Sequence, residues 1–289
     1  VSGRLYVVAT PIGNLGDMSP RAAEALRGAD IIAAEDTQTS MTLLNRFDIR
    51  IKLVSNHKFN ETGVAGYFLK ELQNGKNIAL ISDAGTPCLS DPGNILIRRA
   101  IENDVEVVGV PGPCAAVLAL SVSGFDMQGF EFLGFFPRDG TGKKKLEKKL
   151  DGQSGVYVFY ESPKRITKTF EYMAKNLPEC EVCLCNDLTK KFERIYRGSP
   201  SQILKQLQEN PDAEKGEYTA VAKFAESADD SGVSSGASPE SAIVEFMVRQ
   251  KCGAKEAVKC LAAENARNFG KNELYAASLN LKKMFGNER

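Results

Sequence analysis

Apolar positions in the first 125 residues fall in short, β-branched runs at residues 5–9, 31–34, 51–54, 78–81 and 105–110. Between them the apolar residues recur at helical spacing, as in Ala22, Ala25 and Leu26, then Val64, Tyr67, Phe68 and Leu72. Ser19-Pro20 is a helix start: Ser caps the free backbone donors, and Pro suits the first turn, where its missing N–H has no partner to lose. Strand–helix alternation of this kind predicts a parallel sheet covered on both faces. Ligands of such sheets bind at the carboxyl ends of the strands, so the loop after each strand is where chemistry is expected.

From about residue 130 the pattern changes. Strands are predicted at residues 130–135, 156–160, 181–185, 193–197 and 218–224, and helices at 163–175 and 200–208, a second α/β layer with more hairpin character. Residues 225–239, rich in Ser, Gly and Asp, read as a flexible linker. The tail reads as a helical pair, 240–263 and 271–283, and from Arg249 to Arg289 it holds nine basic and four acidic residues. The predicted organisation is therefore an N-terminal α/β domain (1–125), a second α/β domain (126–225), a linker (226–239) and a basic helical tail (240–289).

Length agrees, since 289 residues at about 150 per domain give two domains and an appendage. The chain carries 37 basic and 37 acidic residues, so any surface for a polyanion must be local. The longest uncharged stretch, 107–125, contains Gly109, Pro111, Gly112, Pro113 and Gly124. It reads as a buried strand, a turn and a buried helix, not a membrane span. The opening V-S-G-R-L-Y-V-V-A-T-P has too short an apolar run for a secretory signal. Seven cysteines, an odd number scattered along the chain, fit a reducing compartment, and a cytoplasmic protein is expected.

Several chemistries are excluded. No G-x-x-x-x-G-K-[ST] phosphate loop occurs, no G-x-G-x-x-G follows the first strand, and the one G-x-S-x-G string, at 232–236, lies in the Ser/Gly-rich linker and not at a strand-to-helix elbow. His57 is the only histidine, which leaves a Cys nucleophile without an obvious base. Cys180, Cys183 and Cys185 lie in a predicted strand with no second C-x-x-C, so core thiols are favoured over zinc and no metal site is expected.

What is present falls after the strands. The first is followed by A-T-P-I-G-N-L-G-D, the second by A-E-D-T, and the third by S-N-H-K-F-N-E. The fourth is followed by S-D-A-G-T-P-C-L-S-D-P-G and the fifth by P-G-P-C-A-A. Any one of these is an ordinary turn; five on one sheet edge point to a site. Asp83, Ala84, Gly85 and Thr86 set a carboxylate beside backbone donors and a hydroxyl, and P-G-P-C-A-A keeps side chains small where a planar ring would lie. By chemistry alone the ligand is a small zwitterion or a nucleoside.

Read in order, these loops together with F-Y-E-S-P-x-R (159–165), L-T-K-K-F-E (188–193) and K-G-E-Y (215–218) closely resemble the 16S rRNA (cytidine-2′-O)-methyltransferases. These are a branch of the tetrapyrrole-methylase superfamily, the class III S-adenosylmethionine (SAM) enzymes. The resemblance implies two α/β domains of the tetrapyrrole-methylase type with SAM in the cleft between them, a small C-terminal helical module, and a homodimer. It implies cofactor contacts at Pro11, Asp83, Ala84, Gly85, Thr86, Cys114, Ala115, Tyr160 (near the adenine) and Ala220. The implied substrate is a cytidine ribose in the decoding region of 16S rRNA, on the small ribosomal subunit. Three positions depart from that pattern: Gln38 and Asn186 stand where Arg is frequent, and Lys164 where His is.

Methyl transfer to a ribose hydroxyl is an in-line displacement with a neutral leaving group. Positioning supplies effective molarities of ~10⁵ M or more, whereas a general base adds ~10²- to 10⁴-fold. Alignment therefore contributes more than proton removal. Candidates for the hydroxyl proton are His57, Glu35 and Asp36, and of these Asp36 or His57 is expected to orient the 2′-hydroxyl. Each has a plain alternative, a helix cap for the two carboxylates and a loop-bonding histidine for His57. RNA contacts are expected at Arg138, Lys143, Lys144 and Lys145, with Lys148 and Lys149, and at Lys164, Arg165, Lys190, Lys191 and the tail. Two other readings share the fold or the ligand: a corrin-type tetrapyrrole methyltransferase, and a SAM-binding assembly factor without catalysis.

Overall fold

A computed structural model describes residues 2–150, 154–225, 238–263 and 269–285. The chain divides into two compact units, Val1–Ala225 and Glu226–Arg289. Most of the linker expected at 226–239 lies outside the described residues.

The first unit opens with strands β1 (Leu5–Val8), β2 (Ile31–Ala34), β3 (Lys52–Ser55), β4 (Ile78–Ile81) and β5 (Val107–Val110), in the order β3-β2-β4-β1-β5. All four pairings are parallel, as the strand–helix alternation predicts. Successive side chains of a strand point to opposite faces, and both faces here are covered. Ile32 and Ala34 pack with Leu26 of α1 (Pro20–Arg27) and Leu44 of α2 (Thr37–Arg46). Ile31 and Ala33 pack with Phe68 and Leu72 of α3 (Glu61–Gln73) and Leu96 of α4 (Asn94–Glu102). The expected start of α1 is observed, with the Ser19 hydroxyl accepting from Ala22 N–H at 3.1 Å ahead of Pro20.

The uncharged 107–125 stretch folds as β5, a turn and α5 (Ala115–Ser123), which stops at Gly124 in the left-handed region (φ 78°). Helix α5 packs on the second sheet: Ala116, Ala119 and Leu120 meet Val156, Val158, Cys183, Cys185 and Val221. That sheet has the order β6-β7-β10-β8-β9, built from β6 (Glu131–Phe135), β7 (Gly155–Glu161), β8 (Glu181–Asn186), β9 (Arg194–Gly198) and β10 (Tyr218–Phe224). Only β6 and β7 are parallel; the other pairs are antiparallel, the hairpin character read from the sequence. Its far face is covered by α6 (Gly140–Leu150), α7 (Pro163–Asn176) and α8 (Pro200–Glu209) through Leu146, Phe170, Met173, Ile203 and Leu207. The three cysteines do not converge. Cys180 packs on this far face, while Cys183 and Cys185 lie on the α5 face with their sulfurs 4.0 Å apart.

The tail corrects one expectation. Instead of a continuous helix over 240–263 there are two, α9 (Pro239–Gln250) and α10 (Ala254–Ala263), followed by α11 (Lys271–Phe285). Lys251 adopts a left-handed conformation (φ 50°) that ends α9, and Gly253 follows. The three helices bury Ile243, Ala257, Leu261, Leu274, Ala277 and Leu281 against one another. No described helix is long and apolar enough to cross a membrane.

Candidate active site

The loops that leave the carboxyl ends of β1, β4 and β5 are tied together by backbone. Thr10 and Gly85 exchange both hydrogen bonds, at 2.9 and 3.1 Å, and the Thr86 hydroxyl donates to the Pro113 carbonyl at 3.0 Å. Gly85 sits at φ +82°, a conformation that costs other residues about 1–2 kcal/mol, and a Cβ there would lie 3.1 Å from Ile12.

These loops form one wall of a cavity of about 410 Å³; the other wall comes from the second sheet and includes Phe135, Tyr160, Leu188 and Tyr218. The first wall is acidic, with Glu35, Asp83 and Asp91 lining it. Burial and the neighbouring carboxylates Asp91 and Asp83 push Glu35 up to about 7, against a single opposing hydrogen bond from the Asp83 backbone. Asp83 is raised by burial, although it accepts from Asp36 N–H at 3.0 Å, and Asp91 is also raised by burial. Carboxylates that cannot all ionise cheaply attract a cation. The second wall is mainly apolar: its two carboxylates, Glu161 and Glu217, are paired with Arg165 and Lys190, and the Tyr160 ring stands edge-on to Phe132 and Phe135 at 5.0 and 5.8 Å. An acidic wall facing an aromatic one suits a ligand with a positive centre and a planar ring.

Asp83 gives a direct test of the acidic wall. Asp83→Asn keeps the shape and an acceptor for Asp36 N–H while removing the charge. A hydrogen bond to a charged group is worth about 1.5–3 kcal/mol, so if the cavity takes the SAM that the sequence resemblance implies, its affinity by calorimetry should fall about 10- to 100-fold. Unfolding stability should stay level or rise as like-charge repulsion is relieved. Unchanged affinity would remove Asp83 from the ligand contacts.

Of the residues expected to hold a cofactor, Asp83, Ala84, Gly85, Thr86, Cys114, Ala115 and Tyr160 line this cavity. Pro11 and Ala220 are buried beside it and do not. Ala220 points into the core under α7 and α8, because its neighbours Thr219 and Val221 take the opposite face. Neither Asp36 nor His57 lines the cavity. Asp36 is the N-cap of α2, with one carboxylate oxygen accepting from Gln38 and Thr39 N–H at 2.7 and 3.2 Å. His57 Nδ1 accepts from the N–H groups of Phe59 and Asn60, both at 3.2 Å, inside its own turn. Of the proton-accepting candidates, Glu35 alone reaches the cavity.

The expected RNA residues divide by what they touch. Arg138, Lys144, Lys145, Lys164 and Lys191 are exposed. Lys143 lies over the Tyr172 ring at 4.6 Å, and Lys149 pairs with Glu131. Two are committed elsewhere. Arg165 pairs with the buried Glu161 at 3.0 Å, and Lys190 bridges Asp187 and Glu217 at 2.7 and 2.8 Å. Asn186 is buried and donates to the carbonyls of Lys215 and Glu217, which ties the K-G-E-Y turn to β8. Gly216 in that turn (φ +81°) has no room for a Cβ, which would fall 2.2 Å from the Asp187 carboxylate.

Residue-by-residue reading of the sequence missed Leu89, Ser90, Leu188, Glu217, Tyr218 and Thr219, all on the cavity wall. The available signal was position: each lies within or beside a motif string, at the end of a strand.

Residues 4–204 match the family of tetrapyrrole (corrin/porphyrin) methylases. The chain is 40% identical over 220 residues to the ribosomal RNA small subunit methyltransferase I of Escherichia coli O157:H7, covering 76% of this chain and 77% of that one. It is 37% identical over 277 residues to the protein of the same name from Bacillus subtilis (strain 168), covering 95% and 94%. Among solved structures it resembles a diphthine synthase (TM-score 0.58, 13% identity, 76% of this chain and 90% of that one). It also resembles the uroporphyrin-III-C-methyltransferase of Thermus thermophilus (TM-score 0.52, 15% identity, covering 76% and 94%). At such identities these likenesses speak to the fold alone.

Proposed function

The chain belongs to the tetrapyrrole methylase family, in the group of the small subunit rRNA methyltransferases I, and from this premise we propose that it methylates the 2′-oxygen of a cytidine ribose in 16S rRNA, using SAM, on the small ribosomal subunit. The observation that carries the reading is the cavity itself, with the carboxylates Glu35, Asp83 and Asp91 on one wall, aromatic and aliphatic side chains with the ion-paired Glu161 and Glu217 on the other, and exposed Arg138 in the loop after β6 and Lys164 in the first turn of α7.

SAM supplies a methyl group on a positively charged sulfur. The donor set fits it: Asp83 and Asp91 would hold positive charge, the Gly85 turn lets backbone approach, and Tyr160 and Leu188 offer a face to a ring. Glu35 takes the proton of the ribose hydroxyl. Asp36 and His57 act at one remove, Asp36 by holding the start of α2 and giving its N–H to Asp83, His57 by fixing the turn after β3. Arg138 and Lys164 bind phosphate beside the cavity mouth, and Lys144, Lys145 and Lys191 extend that surface. The reading carries with it a cytoplasmic protein acting as a homodimer, the latter checked by light scattering.

The test is transfer of labelled methyl from SAM to small subunits that lack the modification, with the product nucleotide mapped, beside free rRNA and a tetrapyrrole precursor. Label on one cytidine ribose is the expected result. Label on the tetrapyrrole instead, or SAM binding with no transfer to any RNA, would overturn the substrate and leave the fold and ligand standing.

A further inference from the structure

The C-terminal unit carries a feature that methyl transfer does not use. Helices α10 and α11 enclose a groove of about 440 Å³ whose lining includes Lys255 and Lys259 from one helix and Lys271, Tyr275, Leu279 and Lys282 from the other. Among the described residues no carboxylate lines it. All four lysines are exposed, and among the described residues none of them forms an ion pair. Glu273, the acid nearest Lys271 in sequence, accepts the Gly270 N–H at 2.9 Å and is not among the residues lining the groove.

Lys255 and Lys259 are four apart on one helix, where like charges repel by a few tenths of a kcal/mol. In a chain with 37 basic and 37 acidic residues, gathering cations in one groove without a single described carboxylate is a segregation that folding does not require. In the middle stands Tyr275, 62% exposed, although α10 and α11 bury five apolar side chains, Ala257, Leu261, Leu274, Ala277 and Leu281, completely or nearly so. Lysines around an exposed ring form the combination that binds single strands: ammonium groups take the phosphates and the ring takes a base face. From Lys271 to Lys282 the helix rises about 16 Å, which at the ~3.4 Å per nucleotide of a fully stacked strand spans at most about five nucleotides and fewer when the strand is extended.

We propose that the α10–α11 groove is a second RNA site, which binds an unpaired segment of a few nucleotides with its phosphates on Lys255, Lys259, Lys271 and Lys282 and one base on Tyr275. It serves to hold the substrate RNA while the cavity of the first unit does the chemistry. The inference rests on the rRNA reading of the substrate.

It is tested on the full chain with a fluorescently labelled twelve-nucleotide single-stranded RNA, by anisotropy across a salt series. The variants are Lys259→Glu with Lys282→Glu, Tyr275→Ala and Tyr275→Phe, each checked for wild-type melting and SAM binding. Two lost single-strand phosphate contacts should reduce the slope of log K against log salt by about 1.4. Tyr275→Ala should weaken binding about tenfold, and Tyr275→Phe, which keeps the ring, should restore it. Wild-type slope and affinity in the lysine variant would overturn the proposal. So would competition by polyglutamate as effective as that by RNA with Tyr275→Ala silent, which would make the groove a docking face for an acidic protein. Methyl transfer to small subunits, run on the same proteins, separates the two readings. Transfer by the wild type with RNA binding unmoved by the variants fails the groove alone, and groove-dependent RNA binding without transfer fails the enzyme alone.

Discussion

Replacing Arg165 with Met is expected to cost about 3–5 kcal/mol of folding stability, because it strands the charge of Glu161 in the protein interior. The Glu161 side chain has no exposed surface. Its carboxylate accepts from Ser162 N–H at 2.7 Å, from the Thr169 hydroxyl at 2.6 Å and from Arg165 at 3.0 Å. The same guanidinium nitrogen donates to the carbonyls of Phe136 and Pro137, at 2.8 and 3.3 Å. One side chain thus clamps the ends of β6 and β7 to the first turn of α7, the segment that presents Phe135, Tyr160 and Pro163 to the cavity. Arg165→Lys keeps the charge but replaces the planar guanidinium with a shorter ammonium head that does not reach the same three acceptors, so an intermediate loss is expected. Adding Glu161→Gln to Arg165→Met should recover part of the cost, a coupling in the range of about 0.5–3 kcal/mol. Urea denaturation of the wild type, Arg165→Met, Arg165→Lys, Glu161→Gln and the double variant measures all of this. A loss below about 1 kcal/mol for Arg165→Met, with weakened subunit binding instead, would return Arg165 to the role of an RNA contact.

Arg165 also shows where a sequence misleads. As a basic residue in F-Y-E-S-P-x-R it reads as an RNA ligand, yet its partner Glu161 stands four residues earlier, across the turn from β7 into α7. Lys190 repeats the case with Asp187 three residues before it. Asp36 and His57 suggested chemistry by residue type. Their hydrogen bonds go to Gln38, Thr39, Phe59 and Asn60, and D-T-Q-T is itself a helix-start signature. Local bonding absorbed all four, and local spacing held the warning. The parallel sheet was legible because runs such as Ile31–Ala34 are buried on both faces and tolerate no polar position. The break between α9 and α10 was not, because the apolar spacing runs on from Ile243 through Ala257 to Leu261 and only Gly253 marks the stop. Which residues of the second sheet face the cavity depends on how β10 sits between β7 and β8, a long-range pairing that no local pattern encodes.

Glu35→Gln should make the protein more stable and less active, with both effects controlled by pH. The ordinary value of this carboxyl is 4.5, and burial beside Asp91 and Asp83 pushes it up to about 7. The folded protein therefore keeps a proton that the unfolded chain releases. Folding is favoured fully below about pH 4.5, and the advantage is lost as pH rises through 7. The side chain is only half-buried, so the shift is discounted for solvent screening, and a penalty of about 1–2 kcal/mol at pH 8 remains. Gln carries no charge, so Glu35→Gln should gain that amount at pH 8 and nothing at pH 4, by urea denaturation at each. Catalysis runs the other way. Only the ionised carboxylate accepts a proton, so kcat/KM for methyl transfer to subunits should climb with pH and level off above about 7, the value for the free protein. Removing the base should cost about 10²-fold or more and abolish that climb, while leaving what positioning supplies. SAM affinity in the variant should fall far less than the rate, because Asp83 and Asp91 still line the acidic wall. A variant with the wild-type rate and the same pH limb would take the proton away from Glu35, whatever its effect on stability.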